Sequence, residues 1–204
     1  YGLKGSETQA LKGISFDVLS GEFLGIMGPS GSGKTTLLNT IATMIRPTSG
    51  KVLLEQRDLA MFKGRELADY RGKKIGYLFQ DFELLDNMTA KENILLPLSL
   101  HGISGQKAKE PLEALARQLD ILDVLEKFPS QMSGGQKQRV AAARALIANP
   151  RILLADEPTG ALDTKNSRIL MDKLSQINQA MGITIMMVTH DANAASYCSR
   201  ILFI

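Results

Sequence analysis

A glycine-rich stretch at residues 28–36, with the sequence Gly-Pro-Ser-Gly-Ser-Gly-Lys-Thr-Thr, constrains the fold of this chain more than any other feature. It fits the pattern G-x-x-x-x-G-K-[ST], in which backbone N–H groups at the start of a helix converge on phosphate oxygens. The apolar run before it, residues 23–27, is typical of a buried strand, and apolar residues follow it at helical spacing as far as Met44. The sequence therefore predicts a strand, a phosphate-binding loop and a helix, in that order.

Each part of this loop has an expected role in holding a nucleotide. The glycines let the backbone come close to phosphates and take φ angles that other residues resist. Lys34 can reach the β- and γ-phosphates, and the Thr35 hydroxyl can bind Mg²⁺. The residues expected to contact the nucleotide here are Gly28, Pro29, Ser30, Gly31, Ser32, Gly33, Lys34, Thr35 and Thr36. The alternative is a glycine-rich turn without a ligand, which the strand before it and the helix after it disfavour.

Short apolar runs that alternate with helical patterns predict an α/β fold with a mainly parallel sheet covered on both faces. A half-buried strand is also predicted at residues 14–18, where apolar and polar residues alternate. The later strands are predicted at residues 52–54, 75–79, 152–155, 183–188 and 200–204, with a polar turn at residues 56–58. A long amphipathic helix is predicted from Thr164 to Met181.

The middle of the chain has little strand signal and several helical patterns. The capping-box pattern at residues 89–92 opens a helix that Pro97 is expected to kink or end. Further helices are predicted at residues 112–119, at residues 121–125 and after Ser133. We therefore expect one domain, residues 1–204, with a nucleotide-binding core at residues 1–80 and 148–204 and a helical subdomain at residues 81–147.

The composition excludes several classes of protein. At 204 residues the chain is long enough for a sizeable core, and its net charge of +3, without runs of Lys and Arg among aromatics, does not indicate nucleic-acid binding. The single cysteine, Cys198, forms no internal disulfide, which suggests a reducing cytosol. No signal peptide and no apolar stretch of about 18 residues is found, so the chain is not expected to span a membrane by itself. Because it begins with Tyr1 and stops within a strand pattern, we expect the ordered part of a longer protein.

Polar residues closely follow three further predicted strands, at the ends where ligands of open α/β sheets gather. Asp156 follows an apolar strand, as in the Walker B pattern, and is a candidate Mg²⁺ ligand. Glu157 is placed to accept a proton from attacking water. Gln80 is a candidate ligand of the metal or of the water, and His190 a candidate contact of the γ-phosphate. The alternative is an acidic turn before Pro158 and two polar side chains with structural hydrogen bonds.

A second glycine-bearing turn, Ser133-Gly134-Gly135-Gln136, opens a predicted helix that ends near Ile147. The N-terminus of a helix attracts anions, because its first N–H groups are free and its dipole is positive there. The turn is therefore a candidate second phosphate site. Taken alone, a flexible helix start would be the simpler interpretation.

Together these motifs resemble, in order and spacing across nearly all of the chain, the ATP-binding subunits of ABC transporters. The resemblance identifies the motifs as the Q-loop (Gln80), the signature (residues 133–136), Walker B (Asp156 and Glu157), the D-loop (Ala161-Leu162-Asp163) and the switch histidine (His190). The signature usually begins with Leu, and Met132 stands in its place with a side chain of similar volume.

The resemblance implies a P-loop NTPase fold with a parallel sheet core, an N-terminal antiparallel β region and an inserted helical subdomain. It implies that the protein binds ATP and Mg²⁺ and hydrolyses ATP, with Glu157, His190 and Gln80 as the catalytic residues. It also implies a head-to-tail dimer with a second copy of the ATPase. In that dimer the signature residues Ser133, Gly134, Gly135 and Gln136 contact the partner's ATP, Asp163 couples the two sites, and Tyr1 stacks on adenine.

A membrane permease is the further partner that the resemblance implies, at the cytoplasmic face of the bacterial cell membrane. Residues 37–39, 66–71 and 160–163 are similar to the group of lipoprotein-release, macrolide-export and FtsE-type ATPases. Within that group, residues 92–98, 134–139 and 189–198 are most similar to Bce-type ATPases. Those work with a large FtsX/Bce-type permease in resistance to bacitracin and other antimicrobial peptides and in sensing them.

Two alternatives from other classes stay open at this point. A soluble ABC ATPase acting on DNA or ribosomes is disfavoured, because the interval from Lys34 to Ser133 has no heptads for a coiled coil and the chain carries one cassette. A P-loop kinase is disfavoured, because a kinase has no need of a second anion site that acts on a partner.

Overall fold

The structure, a computed structural model, describes residues 9–204, so the predicted adenine contact of Tyr1 lies outside the described residues. In chain order the strands are β1 (Phe23–Met27), β2 (Leu53–Leu54), β3 (Arg57–Asp58), β4 (Ile75–Leu78), β5 (Ile152–Asp156), β6 (Thr184–Val188) and β7 (Arg200–Phe203). The helices are α1 (Lys34–Ile41), α2 (Gly64–Asp69), α3 (Ala90–Leu100), α4 (Gln106–Gln118), α5 (Gly134–Leu146), α6 (Thr164–Met181) and α7 (Ala192–Ala195).

A five-stranded parallel sheet with the strand order β4-β5-β6-β1-β7 forms the centre of the fold. In its register Leu78 lies beside Ala155, and Asp156 beside Val188. Because the strands are parallel, their carboxyl ends share one edge of the sheet, and the phosphate loop and the polar residues after β4, β5 and β6 all lie there. The predicted α/β fold with a parallel core is confirmed.

Successive residues of each strand point to opposite faces of this sheet, and helices cover both faces. Leu154 and Met186 pack with α1 on one face, and Leu153 and Ile185 pack with α5 and α6 on the other. These side chains are at most 3% exposed. Burial on this scale stabilises a fold by roughly 1.5–3 kcal/mol per large apolar side chain, which explains why continuous apolar runs predicted the inner strands.

Three helices, α3 to α5, lie between β4 and β5 in the chain. The capping box at the start of α3 is confirmed, because Thr89 Oγ1 accepts from Glu92 N at 3.3 Å and the Glu92 carboxylate accepts from Thr89 N at 2.7 Å. Pro97 does not end α3, which continues to Leu100. The helix predicted at residues 121–125 is a short 3₁₀ turn, Leu122–Val124.

Two predictions near the N-terminus are wrong in part. Residues 14–18 alternate in burial as expected, and Phe16 and Val18 pack against the α1 face, but the segment forms no strand, because burial alone does not supply a hydrogen-bonded neighbour. The polar turn predicted at residues 56–58 is shorter, because Arg57 and Asp58 form β3 and pair with β2 as a separate antiparallel sheet. The turn between β2 and β3 has positive φ at Glu55 and Gln56, as tight hairpins require.

Within residues 9–204, no helix is both long enough and apolar enough to cross a membrane.

Candidate functional site

The phosphate loop lies between the end of β1 and the start of α1, as predicted. Gly33, with φ 95°, precedes α1 and offers no side-chain cap, so the N–H groups of the first turn are left for a ligand. A Cβ atom at Gly28 would lie 2.1 Å from Ile204 O, and one at Gly33 would lie 2.4 Å from Ala10 O. Both glycines are therefore required by close contact with neighbouring backbone.

Lys34 lies inside this loop, with 8% of its surface exposed. Its ammonium group donates to Gly28 O at 2.9 Å, to Pro29 O at 2.7 Å and to Ser32 Oγ at 3.4 Å. The loop thus wraps a positive charge within its own carbonyl groups. A phosphate that entered the loop would meet this charge beside the free N–H groups of α1.

Thr35 and Asp156 meet beside the loop, where Thr35 Oγ1 donates to Asp156 Oδ1 at 3.1 Å. Burial raises the pKa of Asp156, and the neighbouring Glu157 adds to this effect, while the hydrogen bond from Thr35 opposes it. A hydroxyl and a carboxylate oxygen are ligands that suit Mg²⁺. Among residues 9–204, no group of three or more His, Cys, Asp or Glu side chains could hold a metal. A cation bound here would therefore need phosphate oxygens or water as additional ligands.

Glu157 and His190 form the second pair, in which Glu157 Oε2 contacts His190 Nδ1. The imidazole is largely exposed and the carboxylate mostly covered, with side-chain exposures of 72% and 20%. Glu157 has φ 48°, a left-handed conformation that is uncommon outside glycine. Its N–H donates to Val188 O at 2.9 Å, and its C=O accepts from Gly160 N at 2.9 Å, so the backbone on both sides holds this conformation.

Gln80 is exposed and follows β4 after one residue. Its amide lies against the turn that follows Glu157, because a Cβ atom at Gly160 would lie 3.2 Å from Gln80 Cδ and 3.2 Å from its Nε2. The structure thus brings Thr35 to Asp156, brings Glu157 to His190, and places Gln80 over the neighbouring turn.

The signature turn has contacts different from those of the phosphate loop. Ser133 Oγ accepts from Gln136 N at 3.3 Å, and Gln136 Oε1 accepts from Ser133 N at 3.0 Å, so the turn is a closed capping box at the start of α5. Ser133 and Gly134 are exposed. A Cβ atom at Gly135 would lie 2.1 Å from Asn166 Oδ1, which shows how closely α5 approaches the first turn of α6.

The predicted D-loop lies in the same region. Asp163 caps α6, because its Oδ1 accepts from Asn166 N at 2.8 Å and its Oδ2 from Asn166 Nδ2 at 2.8 Å. These hydrogen bonds hold the pKa of Asp163 below its usual range. A Cβ atom at Gly134 would lie 3.9 Å from Ala161 O, so the signature and the D-loop form one surface.

Two polar side chains of α5 that the sequence patterns did not indicate hold the loop around Gln80. Gln138 is fully buried and Arg144 is half-buried, and both donate to backbone carbonyls of that loop. The sequence offered one signal for Gln138, which is a glutamine in a predicted helix next to a run of valine and alanines. Tyr77 was missed as well; its hydroxyl donates to Asn39 Oδ1 at 3.0 Å, and burial beside Asp156 raises its pKa.

A strand, a glycine loop and a helix, with a carboxylate pair after another strand of the same parallel sheet, define a P-loop nucleotide-binding protein. The family model described as "ABC transporter" matches residues 11–160. The chain is 50% identical over 204 residues to the bacitracin export ATP-binding protein BceA of Halalkalibacterium halodurans, covering 100% of this chain and 81% of that protein. It is 44% identical over 204 residues to the macrolide export ATP-binding/permease protein MacB of Syntrophobacter fumaroxidans, covering 99% of this chain and 28% of that protein.

Among solved structures, the dimeric post-hydrolysis state of the ATP-binding cassette MJ0796 bound to ADP and Pi superposes with a TM-score of 0.90 at 39% identity, covering 100% of this chain and 90% of that chain. This chain therefore belongs to the ABC transporter family, as an ATP-binding subunit that hydrolyses ATP. The predicted family and the predicted ATPase activity are confirmed, and the comparisons give the nucleic-acid alternative no support.

Proposed function

We propose that this chain drives a membrane permease by binding ATP between two copies of itself and hydrolysing it. The observation that carries the proposal is the meeting of the Lys34 loop, the Thr35–Asp156 pair and the Glu157–His190 pair at one edge of the sheet. Residues 1–80 and 148–204 act as the nucleotide-binding core, and residues 81–147 act as the helical subdomain that faces the permease.

ATP binds along residues 28–36. Its β- and γ-phosphates replace the two carbonyl oxygens that now accept hydrogen bonds from the Lys34 ammonium group. The free N–H groups at the start of α1 donate further hydrogen bonds to these phosphates. An ammonium group binds an anionic phosphate oxygen more strongly than a neutral carbonyl oxygen, because both partners then carry charge, so the exchange favours the nucleotide-bound loop. Tyr1 stacks on adenine in this arrangement.

Thr35, Asp156 and Gln80 hold Mg²⁺, and their hydroxyl, carboxylate and amide oxygens suit a hard cation. When bound, the cation neutralises negative charge on the β- and γ-phosphates. The Thr35–Asp156 hydrogen bond at 3.1 Å shows that two of these oxygens already face one another.

Glu157 accepts the proton of the attacking water, and His190 fixes the Glu157 carboxylate and approaches the γ-phosphate. The contact between Glu157 Oε2 and His190 Nδ1 supports this division, because a general base must be held at one position relative to the water. The exposed side of His190 leaves its ring able to reach the nucleotide.

A second copy of the chain completes each ATP site. The exposed signature residues Ser133 and Gly134, with Gly135 and Gln136 behind them, contact the partner's ATP, and Asp163 couples the two sites from the adjoining D-loop. The helix N-terminus at α5 supplies the positive potential for a phosphate. The related cassette MJ0796, a dimer bound to ADP and Pi, supports an assembly of two copies, for which we propose the head-to-tail arrangement.

The permease is of the FtsX/Bce type, and the transporter serves resistance to antimicrobial peptides such as bacitracin, or the sensing of them, from the cytoplasmic face of the bacterial cell membrane. The name of the relative from Halalkalibacterium halodurans supports this choice. Macrolide export is the second candidate, because the relative from Syntrophobacter fumaroxidans carries a permease in the same polypeptide and is 44% identical.

Substitution of the base tests the proposed site. Glu157→Gln keeps the shape of the side chain but cannot accept a proton from water, so we expect hydrolysis to fall about 100-fold or more with nucleotide affinity unchanged. ATP should also hold this variant as a dimer, which light scattering after size-exclusion chromatography would detect. The matched control is Glu126→Gln, because Glu126 is a 77% exposed surface residue paired with Lys91. A Glu157→Gln variant that hydrolysed ATP as fast as the control would refute the assignment of the base.

A further inference from the structure

One buried amide connects the two segments that carry Gln80 and Glu157. Gln138 lies in α5 with 0% of its surface exposed. Its Nε2 donates to Phe79 O at 2.9 Å and to Pro158 O at 2.7 Å. Phe79 is the residue before Gln80, and Pro158 is the residue after Glu157. Both hydrogens of a single nitrogen therefore bind the backbone beside two proposed site residues.

The other end of the same amide indicates that Gln138 is held for its two donors. Gln138 Oε1 is buried and has no hydrogen-bond partner within residues 9–204. A buried polar atom without a partner is unfavourable, and an apolar side chain of the same shape would avoid it. Gln138 thus has an unsatisfied acceptor, while the two N–H groups of its amide bind the backbone just after β4 and just after β5.

The loop after Gln80 is bent so that it needs such support. Glu83 N donates to Asp81 O at 2.6 Å, which closes a tight three-residue turn. Phe82 and Glu83 have φ angles of 64° and 49°, in a region that strains the backbone of residues other than glycine. Arg144, also of α5, donates from one guanidinium nitrogen to Phe82 O at 2.9 Å and from the other to Glu83 O. The same helix therefore fixes the loop on both sides of Gln80.

The turn after Glu157 is fixed by the same amide. Pro158 O accepts from Gln138 Nε2, and a Cβ atom at Gly160 of the same turn would lie only 3.2 Å from the Gln80 amide nitrogen. Removal of the Gln138 amide would leave the carbonyls of Phe79 and Pro158 without this donor between buried elements. The gap between the Gln80 and Glu157 segments would then no longer be set by a direct bond.

We infer that Gln138 is a positioning residue for ATP hydrolysis, which fixes the Gln80 segment against the Glu157 segment through the two hydrogens of its side-chain amide. The inference rests on the proposed roles of Gln80 and Glu157. Because the Gln138 side chain is fully buried, it acts on the rate by setting the distance between the Gln80 and Glu157 segments. Because α5 begins at the signature, a shift of that helix reaches both segments at once.

The test is a double-mutant cycle in the full-length subunit, assayed for ATPase activity together with its permease. Gln138→Met keeps the length and volume of the side chain and removes both donors. We expect kcat to fall by about 10- to 100-fold, as for a misplacement on the order of 1 Å at a reacting centre, with the dissociation constant of a fluorescent ATP analogue within about twofold of the wild type. In the Gln80→Ala background, where one of the two positioned groups is absent, the same substitution should cost at most about threefold.

The matched control is Asn178→Leu. Asn178 Nδ2 also donates to two carbonyls of separate segments, Gly21 O at 3.0 Å and Ile183 O at 2.6 Å, at the far end of α6. The Asn178→Leu variant should lower the melting temperature to an extent similar to that of Gln138→Met and leave kcat unchanged. Gln138→Glu is a milder variant that keeps one donor as a neutral acid, a form that burial favours, and its kcat should lie between those of the wild type and Gln138→Met.

All rates are taken per folded molecule, with the folded fraction measured by circular dichroism at the assay temperature. A Gln138→Met variant with wild-type kcat, while Gln80→Ala is slow, would overturn this inference alone. Full additivity of the two substitutions would overturn it as well. A Gln80→Ala variant with wild-type kcat would contradict the proposed role of Gln80 and, with it, the inference.

Discussion

Removal of the Arg144 guanidinium should destabilise the protein measurably, because this group donates two hydrogen bonds to carbonyl oxygens of a bent loop. The substitution is Arg144→Met, which keeps the unbranched stem and removes the charge and both donors. One guanidinium nitrogen donates to Phe82 O at 2.9 Å and the other to Glu83 O. Burial lowers the pKa of Arg144, with the Glu83 charge opposing this, so the group has given up water for these two carbonyls.

The magnitude follows from the number of bonds and from their setting. A hydrogen bond to a charged group contributes about 1.5–3 kcal/mol, and desolvation of the guanidinium offsets part of the sum for two bonds. We expect a loss of about 2–3 kcal/mol in the free energy of unfolding. For a chain of this length that corresponds to a melting temperature lower by roughly 4–12 °C.

Urea unfolding monitored by circular dichroism measures this loss, and limited proteolysis monitors cleavage in residues 81–88. The control is Arg117→Met in α4, because Arg117 is exposed, and its change should stay within about 0.5 kcal/mol. Arg144→Lys should recover only part of the loss, because an ammonium group lacks the fork that reaches both carbonyls. An Arg144→Met variant as stable as the control would show that the two bonds do not hold the loop.

Two further predictions concern titrating groups. Because burial raises the pKa of Asp156 above its unfolded value, this carboxyl stabilises the fold fully only below its unfolded pKa, and its contribution is lost as pH rises through the folded pKa. Asp156→Asn should therefore melt at a higher temperature than the wild type at pH 7, with the difference vanishing in acid, while hydrolysis is lost; a lower melting temperature at pH 7 would contradict this. Burial under β1 raises the pKa of Cys198 to about 12, so iodoacetamide should label this thiol slowly at pH 8 in the folded protein and rapidly in urea. Equal labelling in both conditions would contradict the packing of Cys198 against Gly25.

Much of the fold could be predicted from the sequence because its inner strands are buried on both faces. Residues 23–27 and 164–181 were predicted with the bounds that the structure gives, since one is a continuous apolar run and the other a long amphipathic helix with a glycine after it. Residues 14–18 show the limit of such patterns. Alternating burial was correct there, but a strand needs a neighbouring backbone, which no local pattern specifies.

The candidate site shows the same limit, because only features that are local in the sequence could be predicted. The phosphate loop and the residues after β5 and β6 could be proposed as candidates from the sequence, because the chemistry expected of them is local to one turn. The contacts of Gln138 and Arg144 could not, because their partners are backbone carbonyls, which have the same chemistry at every position. Only the packing of α5 against the loop after β4 selects Phe79, Phe82 and Glu83 among them.

Purification of the Glu157→Gln variant with ATP from gently solubilised native membranes tests the central proposal most directly. The variant is expected to retain ATP and to hold the assembled state, and mass spectrometry identifies what remains bound. We predict that a second copy of the ATPase is recovered together with a large permease of the FtsX/Bce type. Recovery of DNA or ribosomes with no membrane protein would contradict the proposal.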